Sequence, residues 1–371
     1  VQFHAGNVTY ASTELLSNSE KDLRDQRREE FQKACRRQNL TLDQLLLTIQ
    51  SWKGSRLIVV GDTIMDQYAA CEAIGMSAEA PVIVVRELAH KNYLGAAAIV
   101  AAHIQALGAE CDLVSVVGDD DSARIVQREL DDRGIGAHLF VDSSRPTTFK
   151  KRYVVENQKL FRVSRLEQHD LDLDVEQKII SCLETLAPSA DGIVVSDFVY
   201  GVITRRILES ITLLSDKYSL PLFGDVQCSS QQGSISRFKR FTLLCPNERE
   251  LRLALKDAST GIERLSQRLI EECQCRHLLV KLSGEGFIAY DKHQNGLVYS
   301  QPFPALSVNP LDVAGAGDSV LAVMATGMAS GQSMMPNAAL ACCMAGLAVE
   351  TMGNTPITWQ DLLASVQEML N

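Results

Sequence analysis

From Arg56 onward, short apolar runs alternate with amphipathic stretches of helical pattern, and this alternation constrains the fold more than any other feature. Short apolar runs bounded by glycine or aspartate are typical of strands buried on both faces, as in parallel sheets. The runs occupy residues 57–60, 113–117, 192–195, 221–223 and 278–280, and the helical stretches occupy 97–107, 122–132, 204–218 and 262–273. Strands that alternate with helices in this way predict an α/β fold, specifically a doubly wound sandwich.

Two inserted segments, residues 81–87 and 147–164, break this alternation and are predicted to form antiparallel strands. The second segment is predicted to be a hairpin that turns at Glu156. Inserted strands in an α/β core often cover a ligand cleft. We therefore expect a small β lid, built from strands near residues 66–94 and 145–166.

The first 52 residues differ in texture from the rest of the chain. Residues 17–50 are rich in charge and have a helical pattern with apolar positions such as Phe31 and Leu45. We interpret residues 1–52 as an N-terminal helical extension or a solvated linker, and residues 53–371 as the main domain. Residues 10–16 weakly resemble the closing segment of cytidylyltransferase-like nucleotidyltransferases, which would make this region the end of a fused domain; a chance match is favoured.

Composition excludes several classes of partner. The net charge is −10 and no basic stripe is present, which argues against a nucleic-acid partner. No apolar stretch reaches the roughly 20 residues that a membrane helix needs, so no membrane partner is expected. The ten cysteines show neither a disulfide framework nor metal-ligand spacing, which predicts free thiols in a reducing cytoplasm.

Residues 311–319 carry the strongest functional signal, because two glycines and an aspartate directly precede an apolar helix. Gly315 and Gly317 let the backbone approach an anion, and the amides of a helix start direct partial positive charge toward it. Asp318 is then placed to take a proton from an attacking hydroxyl while these amides stabilise a transferring phosphoryl group. The alternative is an ordinary first-turn acid that stabilises the helix dipole. The position of the turn, late in a long α/β chain, favours the functional interpretation.

The segment Gly315-Ala316-Gly317-Asp318 resembles the C-terminal signature of the PfkB carbohydrate kinases, Asp-Thr-x-Gly-Ala-Gly-Asp. The resemblance extends from about residue 56 to about residue 364, which is most of the chain. Within the family, the Ser-x-Glu-Ala-Pro-Val stretch resembles the branch of D-glycero-β-D-manno-heptose 7-phosphate kinases. The supporting stretches are residues 60–68, 77–82, 146–152, 195–198 and 246–250.

The resemblance implies a ribokinase-like sandwich with a β lid and an ATP-dependent sugar kinase that uses Mg²⁺, with room for a monovalent cation. It implies Asp318 as the base, within the anion-binding turn formed by Gly315, Ala316 and Gly317. The implied sugar-binding residues are Asp66, Gly95, Lys150, Arg152 and Asp197, with Lys150 and Arg152 as lid cations that reach a phosphate of the substrate. The implied nucleotide-side residues are Asn247, Ser283, Gly284 and Gly286, and Asn247 and Glu250 would organise the magnesium through water. We further expect a homodimer that acts on a small sugar.

Three departures from the family pattern bear on the substrate. Ile99 stands where asparagine is usual, so that a sugar hydroxyl facing it would lack a partner. Gln227 stands where the family has the lysine of Asp-Pro-Lys, so a cation is missing there. Ala314 replaces a threonine. The base and the anion turn survive, which predicts that phosphoryl transfer is intact.

Three functional hypotheses follow. The first is phosphorylation of a heptose phosphate or a similar sugar phosphate. The second keeps ATP but uses another acceptor, such as a ketose phosphate or a nucleoside. The third is a kinase-like module that binds ligands without turnover and regulates a partner. Asp318 argues against the third hypothesis, because a module without turnover needs no base.

Overall fold

The computed structural model describes residues 20–156, 158–227, 234–293 and 295–371. The helices are α1 (Glu20–Arg37), α2 (Leu42–Gln50), α3 (Ala97–Ala106), α4 (Asp121–Asp131), α5 (Leu173–Leu186), α6 (Arg205–Tyr218), α7 (Glu248–Leu255), α8 (Ile262–Cys273), α9 (Ala316–Ala329), α10 (Met334–Ala348) and α11 (Trp359–Leu370). The strands are β1 (Arg56–Met76), β2 (Ile83–Ala96), β3 (Glu110–Val117), β4 (Gly136–Val141), β5 (Thr148–Val155), β6 (Gln158–Arg165), β7 (Gly192–Asp197), β8 (Leu222–Val226), β9 (Leu243–Leu244), β10 (His277–Lys281), β11 (Phe287–Lys292) and β12 (Val298–Phe303).

The central sheet has the order β12-β11-β10-β9-β8-β7-β1-β3-β4. The strands from β10 to β4 along this path pair in parallel, whereas β11 and β12 add an antiparallel edge. Alternate residues of β1 enter different cores: Leu57 and Val59 join one apolar cluster, and Ile58 and Val60 join the other. Because both faces of the sheet are covered, the predicted doubly wound sandwich is confirmed.

The β lid grows out of strand β1. Beyond Asp62, where its pairing with β3 ends, β1 continues as a strand that pairs antiparallel with β2 and parallel with β5. Strand β6 pairs antiparallel with β5, and the predicted hairpin that turns at Glu156 is confirmed. The lid therefore begins at the carboxyl edge of the central sheet, the edge where open α/β sheets bind ligands.

Helices α1 and α2 pack against the main core. Phe31, Leu45, Ile49 and Trp52 are fully or almost fully buried and belong to the same apolar cluster as α10 and α11. The interpretation of this region as a solvated linker is wrong for its described part, because these apolar positions cover the sheet-facing helices rather than meeting water. The division at residue 52 stays a prediction, and residues 10–16 lie outside the described residues.

Two smaller features are a helix cap and a pair of buried thiols. Asp120 caps α4, since its side chain accepts a hydrogen bond from the amide of Ala123 at 3.0 Å. Cys342 and Cys343 are buried within α10, as expected for core thiols. Within the described ranges, none of the helices has the length and apolar character required to cross a bilayer.

Candidate active site

The turn that precedes α9 has the backbone geometry of an anion site. Gly315 caps the helix with φ +82°, a left-handed conformation that favours glycine. A Cβ atom at Gly315 would lie 2.3 Å from Oδ1 of Asn354, and one at Gly317 would lie 3.2 Å from Nζ of Lys281. Both glycines therefore lie in close contacts that a side chain would disturb. The first turn of the helix, which includes Ala316, lines a cavity, and the amides of a helix start favour an anion there.

Asp318 lies in the first turn of α9 and is only 4% exposed. Gln227, at the end of β8, donates a hydrogen bond from Nε2 to its Oδ1 at 3.3 Å. Burial and the nearby carboxylate of Asp225 raise the pKa of Asp318 to about 8, and the ammonium of Lys281 acts in the opposite direction. A carboxyl group with a pKa raised to this range is suited to accept a proton near neutral pH.

Lys281, which the sequence pattern did not single out, brings a cation to this carboxyl group. It ends β10, and its Nζ lies 2.6 Å from Oδ2 of the buried Asp225. Burial disfavours the charged form of Lys281, but the carboxylates of Asp225 and Glu250 outweigh it and raise the pKa of the ammonium. Lys281 was recognisable as the charged residue directly after the apolar run 278–280, at the carboxyl end of a parallel strand.

The predicted nucleotide-side residues line one cavity of about 410 Å³, a volume in the range of small-ligand sites. Its polar wall is formed by the anion turn, by Lys281 and by the short 3₁₀ turn Ser283–Glu285 with Gly286. Its apolar wall includes Val320, Cys342 and Val349. The lining residues from the sequence prediction are Asn247, Ser283, Gly284, Gly286, Gly315, Ala316 and Gly317. The cavity therefore combines an apolar wall with a polar wall that carries glycine turns and the ammonium of Lys281.

Asn247 and Glu250 form a reciprocal cap at the start of α7. Oδ1 of Asn247 accepts from the amide of Glu250 at 2.9 Å, and Oε2 of Glu250 accepts from the amide of Asn247 at 2.8 Å. Within the described residues, no group of three histidine, cysteine or acidic side chains is arranged to hold a metal ion. Asp225 and Glu250, the carboxylates beside Lys281, are oxygen ligands of the kind that would hold magnesium together with nucleotide phosphates and water.

The predicted sugar-side residues gather where β1 leaves the central sheet. Asp66 is buried and forms an ion pair with Arg152 of the neighbouring lid strand β5. Gly95 lies against the Asp66 carboxylate, where a Cβ atom would be 2.8 Å from Oδ2. Asn354, which the sequence analysis missed, lies 3.5 Å from Oδ2 of Asp66 through its Nδ2, and its own Oδ1 is buried without a partner among the described residues.

Lys150 and Asp197, two further predicted sugar-side residues, are also buried. Nζ of Lys150 lies 5.1 Å from the ring centre of Phe198 and 5.3 Å from that of Tyr200, and its charge acts to lower the pKa of Asp318. Asp197 is buried and paired with Arg237. Burial raises the pKa of Asp197, although the guanidinium opposes the shift.

Asp312, just before the anion turn, connects that turn to the lid. Its Oδ2 accepts a hydrogen bond from the hydroxyl of Tyr68 at 2.6 Å, and its Oδ1 pairs with Lys159 of β6. The backbone amide of Ala314 also donates to this carboxylate, at 2.9 Å. Two lid strands are therefore tied directly to the segment that leads into the anion turn.

Residues 55–361 match the sequence profile of the pfkB family carbohydrate kinases. The chain belongs to this family. It is 32% identical over 313 residues to the bifunctional protein HldE of Pelobacter propionicus, with 83% of this chain and 62% of that protein covered. It is 30% identical over 321 residues to the bifunctional protein HldE of Campylobacter jejuni, with 85% and 66% covered. This PfkB chain spans about three fifths of the length of the curated relatives that it matches.

Solved structures of other kinases share the fold of this PfkB chain. Ribokinase of Arabidopsis thaliana, complexed with ribose and ATP, has a TM-score of 0.64 at 19% identity and covers 85% of this chain and 99% of its own. Phosphofructokinase-2 of Escherichia coli has a TM-score of 0.71 at 14% identity, with 85% and 100% covered. The predicted ribokinase-like fold is confirmed, and as a PfkB carbohydrate kinase the enzyme is a phosphotransferase.

The departure at Ile99 has a different meaning in the structure from the one that the PfkB pattern suggests. Ile99 lies in α3, is 0% exposed and belongs to the main apolar cluster. Its side chain therefore packs in the core instead of facing a sugar. A side-chain amide that does contact Asp66 comes from Asn354, which precedes helix α11.

Proposed function

We propose that this carbohydrate kinase transfers the γ-phosphoryl group of Mg-ATP to a hydroxyl of a sugar that already carries a phosphate, with a heptose phosphate as the first candidate. The observation that carries the proposal is the buried carboxyl of Asp318 at the start of α9, beside open helix amides and the ammonium of Lys281. The hydroxyl oxygen forms a bond to phosphorus, the bond from phosphorus to the bridging oxygen breaks, and Asp318 receives the hydroxyl proton.

The acceptor assignment rests on the lid and on the relatives. Lys150 and Arg152 place two cations on strand β5 beside Asp66 and close enough to Asp318 for the charge of Lys150 to act on it. Anionic ligands are bound well by such charged donors. The relatives at 30–32% identity are named bifunctional proteins, and this chain covers 62–66% of them. We infer that a second, nucleotidyltransferase-like activity of those proteins would reside outside the part that this chain matches.

An acceptor without a phosphate is the second candidate, and one contact favours it. Arg152 is already neutralised by Asp66 in the structure, so an incoming phosphate would have to compete for its guanidinium. A free sugar or a nucleoside would leave this ion pair undisturbed. The solved Arabidopsis ribokinase that shares the fold was determined with ribose, an unphosphorylated sugar.

A screen of acceptors for ADP release tests the proposal. Heptose, hexose and ketose phosphates are compared with the same sugars without phosphate and with nucleosides, each with Mg-ATP. We expect kcat/KM to be highest for a sugar phosphate, with a heptose 7-phosphate above the hexose phosphates. Preference for a free sugar or nucleoside would select the second candidate. If no acceptor increases the rate of ADP release, the result would instead support a binding module without turnover.

Alanine substitution of the lid cations is expected to weaken the acceptor selectively. Lys150→Ala and Arg152→Ala should each raise KM for the sugar phosphate roughly tenfold, because a hydrogen bond to a charged group contributes about 1.5–3 kcal/mol. The KM for ATP should change less than about threefold. Lys151→Ala is the matched control on the same strand, since Lys151 pairs with Glu87 on the other side of the lid. Equal losses for both substrates would contradict a role in acceptor binding.

We also propose that the lid forms a homodimer. Its tip carries exposed apolar side chains, among them the cross-strand pair Met76 and Ile83, which are 63% and 60% exposed. Apolar strands with open edges tend to be covered by a partner. The double substitution Met76→Lys and Ile83→Lys should convert a dimer to a monomer at micromolar concentration in sedimentation velocity. Leu213→Lys, at a similarly exposed leucine on α6, should leave the dimer intact. A monomeric wild type would remove the proposal.

A further inference from the structure

The partly buried ammonium of Lys281 lies at the junction between the nucleotide cavity and the catalytic carboxyl. Its Nζ is 2.6 Å from Asp225 and would lie 3.2 Å from a Cβ atom at Gly317, so that it borders the anion turn directly. The side chain lines the 410 Å³ cavity and the larger neighbouring cavity of about 740 Å³. No role follows for this residue from the family pattern, which places its cation at the position of Gln227.

We propose that Lys281 contacts the transferring phosphoryl group and supplies the cation that Gln227 lacks, with Asp225 as the positioning residue that holds the ammonium against Gly317. This inference rests on the proposed ATP-dependent transfer. The cation has moved from the end of β8 to the end of β10. Gln227 remains in contact with the base, through its hydrogen bond of 3.3 Å to Asp318, so both strand ends reach the same reaction centre.

The position of Lys281 indicates that it is more than a counter-ion, because its Nζ lies against Gly317 and the side chain lines the nucleotide cavity beside the anion turn. The carboxylates of Asp225 and Glu250 act on the ammonium, and that ammonium acts in turn on Asp318. Without the ammonium of Lys281, these acids would leave less positive charge to face the phosphates of Mg-ATP. As the acceptor oxygen bonds to phosphorus and ADP departs, Asp318 takes the hydroxyl proton. Lys281 keeps its own proton throughout and neutralises charge on the phosphoryl oxygens.

Relocation of the lysine tests this role in turnover. Lys281→Met should lower kcat about 100-fold, in line with the loss of one preorganised donor to a transition state, and change KM for the sugar less than about threefold. Adding Gln227→Lys to Lys281→Met should restore kcat at least tenfold, because position 227 reaches Asp318 from β8. Adding Asp225→Asn instead removes the unpaired carboxylate but supplies no cation, so kcat should stay low. If Asp225→Asn restores kcat, or if Gln227→Lys does not, Lys281 acts only as a counter-ion to Asp225.

Binding of a phosphoryl mimic tests the same role without an acceptor. Calorimetry compares ADP with Mg²⁺ alone against ADP with Mg²⁺ and aluminium fluoride. Lys281→Met should bind ADP within about threefold of the wild type but bind the fluoride complex at least tenfold more weakly. If the wild type turns over no sugar phosphate yet shows this difference, the acceptor proposal fails and the role of Lys281 stands. The role of Lys281 is overturned if both proteins bind the fluoride complex with equal affinity. It is also overturned if aluminium fluoride does not raise the affinity of the wild type for ADP.

Discussion

Asp318→Asn is expected to lower kcat at least about 100-fold while ATP still binds. The amide keeps the shape of the side chain and its contact with Gln227 but cannot accept the hydroxyl proton, and general base catalysis contributes about 10²–10⁴-fold. Steady-state kinetics with the best acceptor measures kcat, and calorimetry measures nucleotide affinity. A loss smaller than about tenfold, or roughly 1.4 kcal/mol, would show that another group takes the proton.

The pH profile separates this role from support of the helix dipole. Because the pKa of Asp318 is raised to about 8, the base form fills as pH rises, and kcat/KM of the wild type should increase through that range. In Asp318→Asn this rise of kcat/KM with pH, the basic limb of the profile, should be absent. If Asp318 only stabilised the helix dipole, Asp318→Asn would cost about 0.3–1 kcal/mol of stability, and the rise of kcat/KM with pH would remain. Asp121→Asn, at an exposed first-turn acid of α4, is the matched control and should leave kcat and the limb unchanged.

The alternation of strands and helices was readable from sequence because each core strand is buried on both faces. Leu57 to Val60 are all apolar, and the structure divides them between the two cores on opposite faces of the sheet. A run with no polar position can only lie inside, so its length and its glycine boundary are sufficient to identify a strand. The turn at Gly315 and Gly317 could be predicted because its geometry requires glycine: at both positions a Cβ atom would come close to a neighbouring side chain.

The contacts that complete the site were beyond local pattern. Lys281 reaches Asp225 across 56 positions of sequence, and Asn354 reaches Asp66 across 288. Each contact depends on which strand ends lie side by side, which only the sheet order sets. Comparison of single positions with the family pattern therefore indicated a missing cation at Gln227. In the folded chain, Lys281 brings a cation to Asp225 from β10, two strands away from β8.

The N-terminal helices show the same limit for amphipathic segments. Their charged residues suggested a solvated linker, although Phe31 and Trp52 are completely buried. Arg27 of α1 also donates to the carbonyl of Ala305 at 2.9 Å, in the segment that lines the nucleotide cavity. The periodicity of a helix shows that one face is apolar, but it does not identify the surface that this face covers.

Ile99→Asn is expected to destabilise the protein and to improve no substrate. The side chain is 0% exposed within α3, so the substitution removes buried apolar contacts and leaves an amide without partners in the core. Together these effects should cost about 3–5 kcal/mol of the free energy of unfolding, out of a total of about 5–15 kcal/mol for a typical protein. Equilibrium denaturation measures the loss, and Ile99→Val, with an expected cost of about 0.5–1.5 kcal/mol, is the matched control.

The kinetic pattern of Ile99→Asn distinguishes a core position from a sugar-binding one. If only the folded fraction falls, kcat/KM should decrease by one common factor for sugar phosphates and for free sugars. If position 99 faced the acceptor, the new amide would pair with a hydroxyl and raise kcat/KM for one acceptor class above the other. Selective improvement of a heptose phosphate would therefore contradict the core placement. A common decrease would leave Asn354, whose Nδ2 lies 3.5 Å from Asp66, as the amide at the acceptor end of the site.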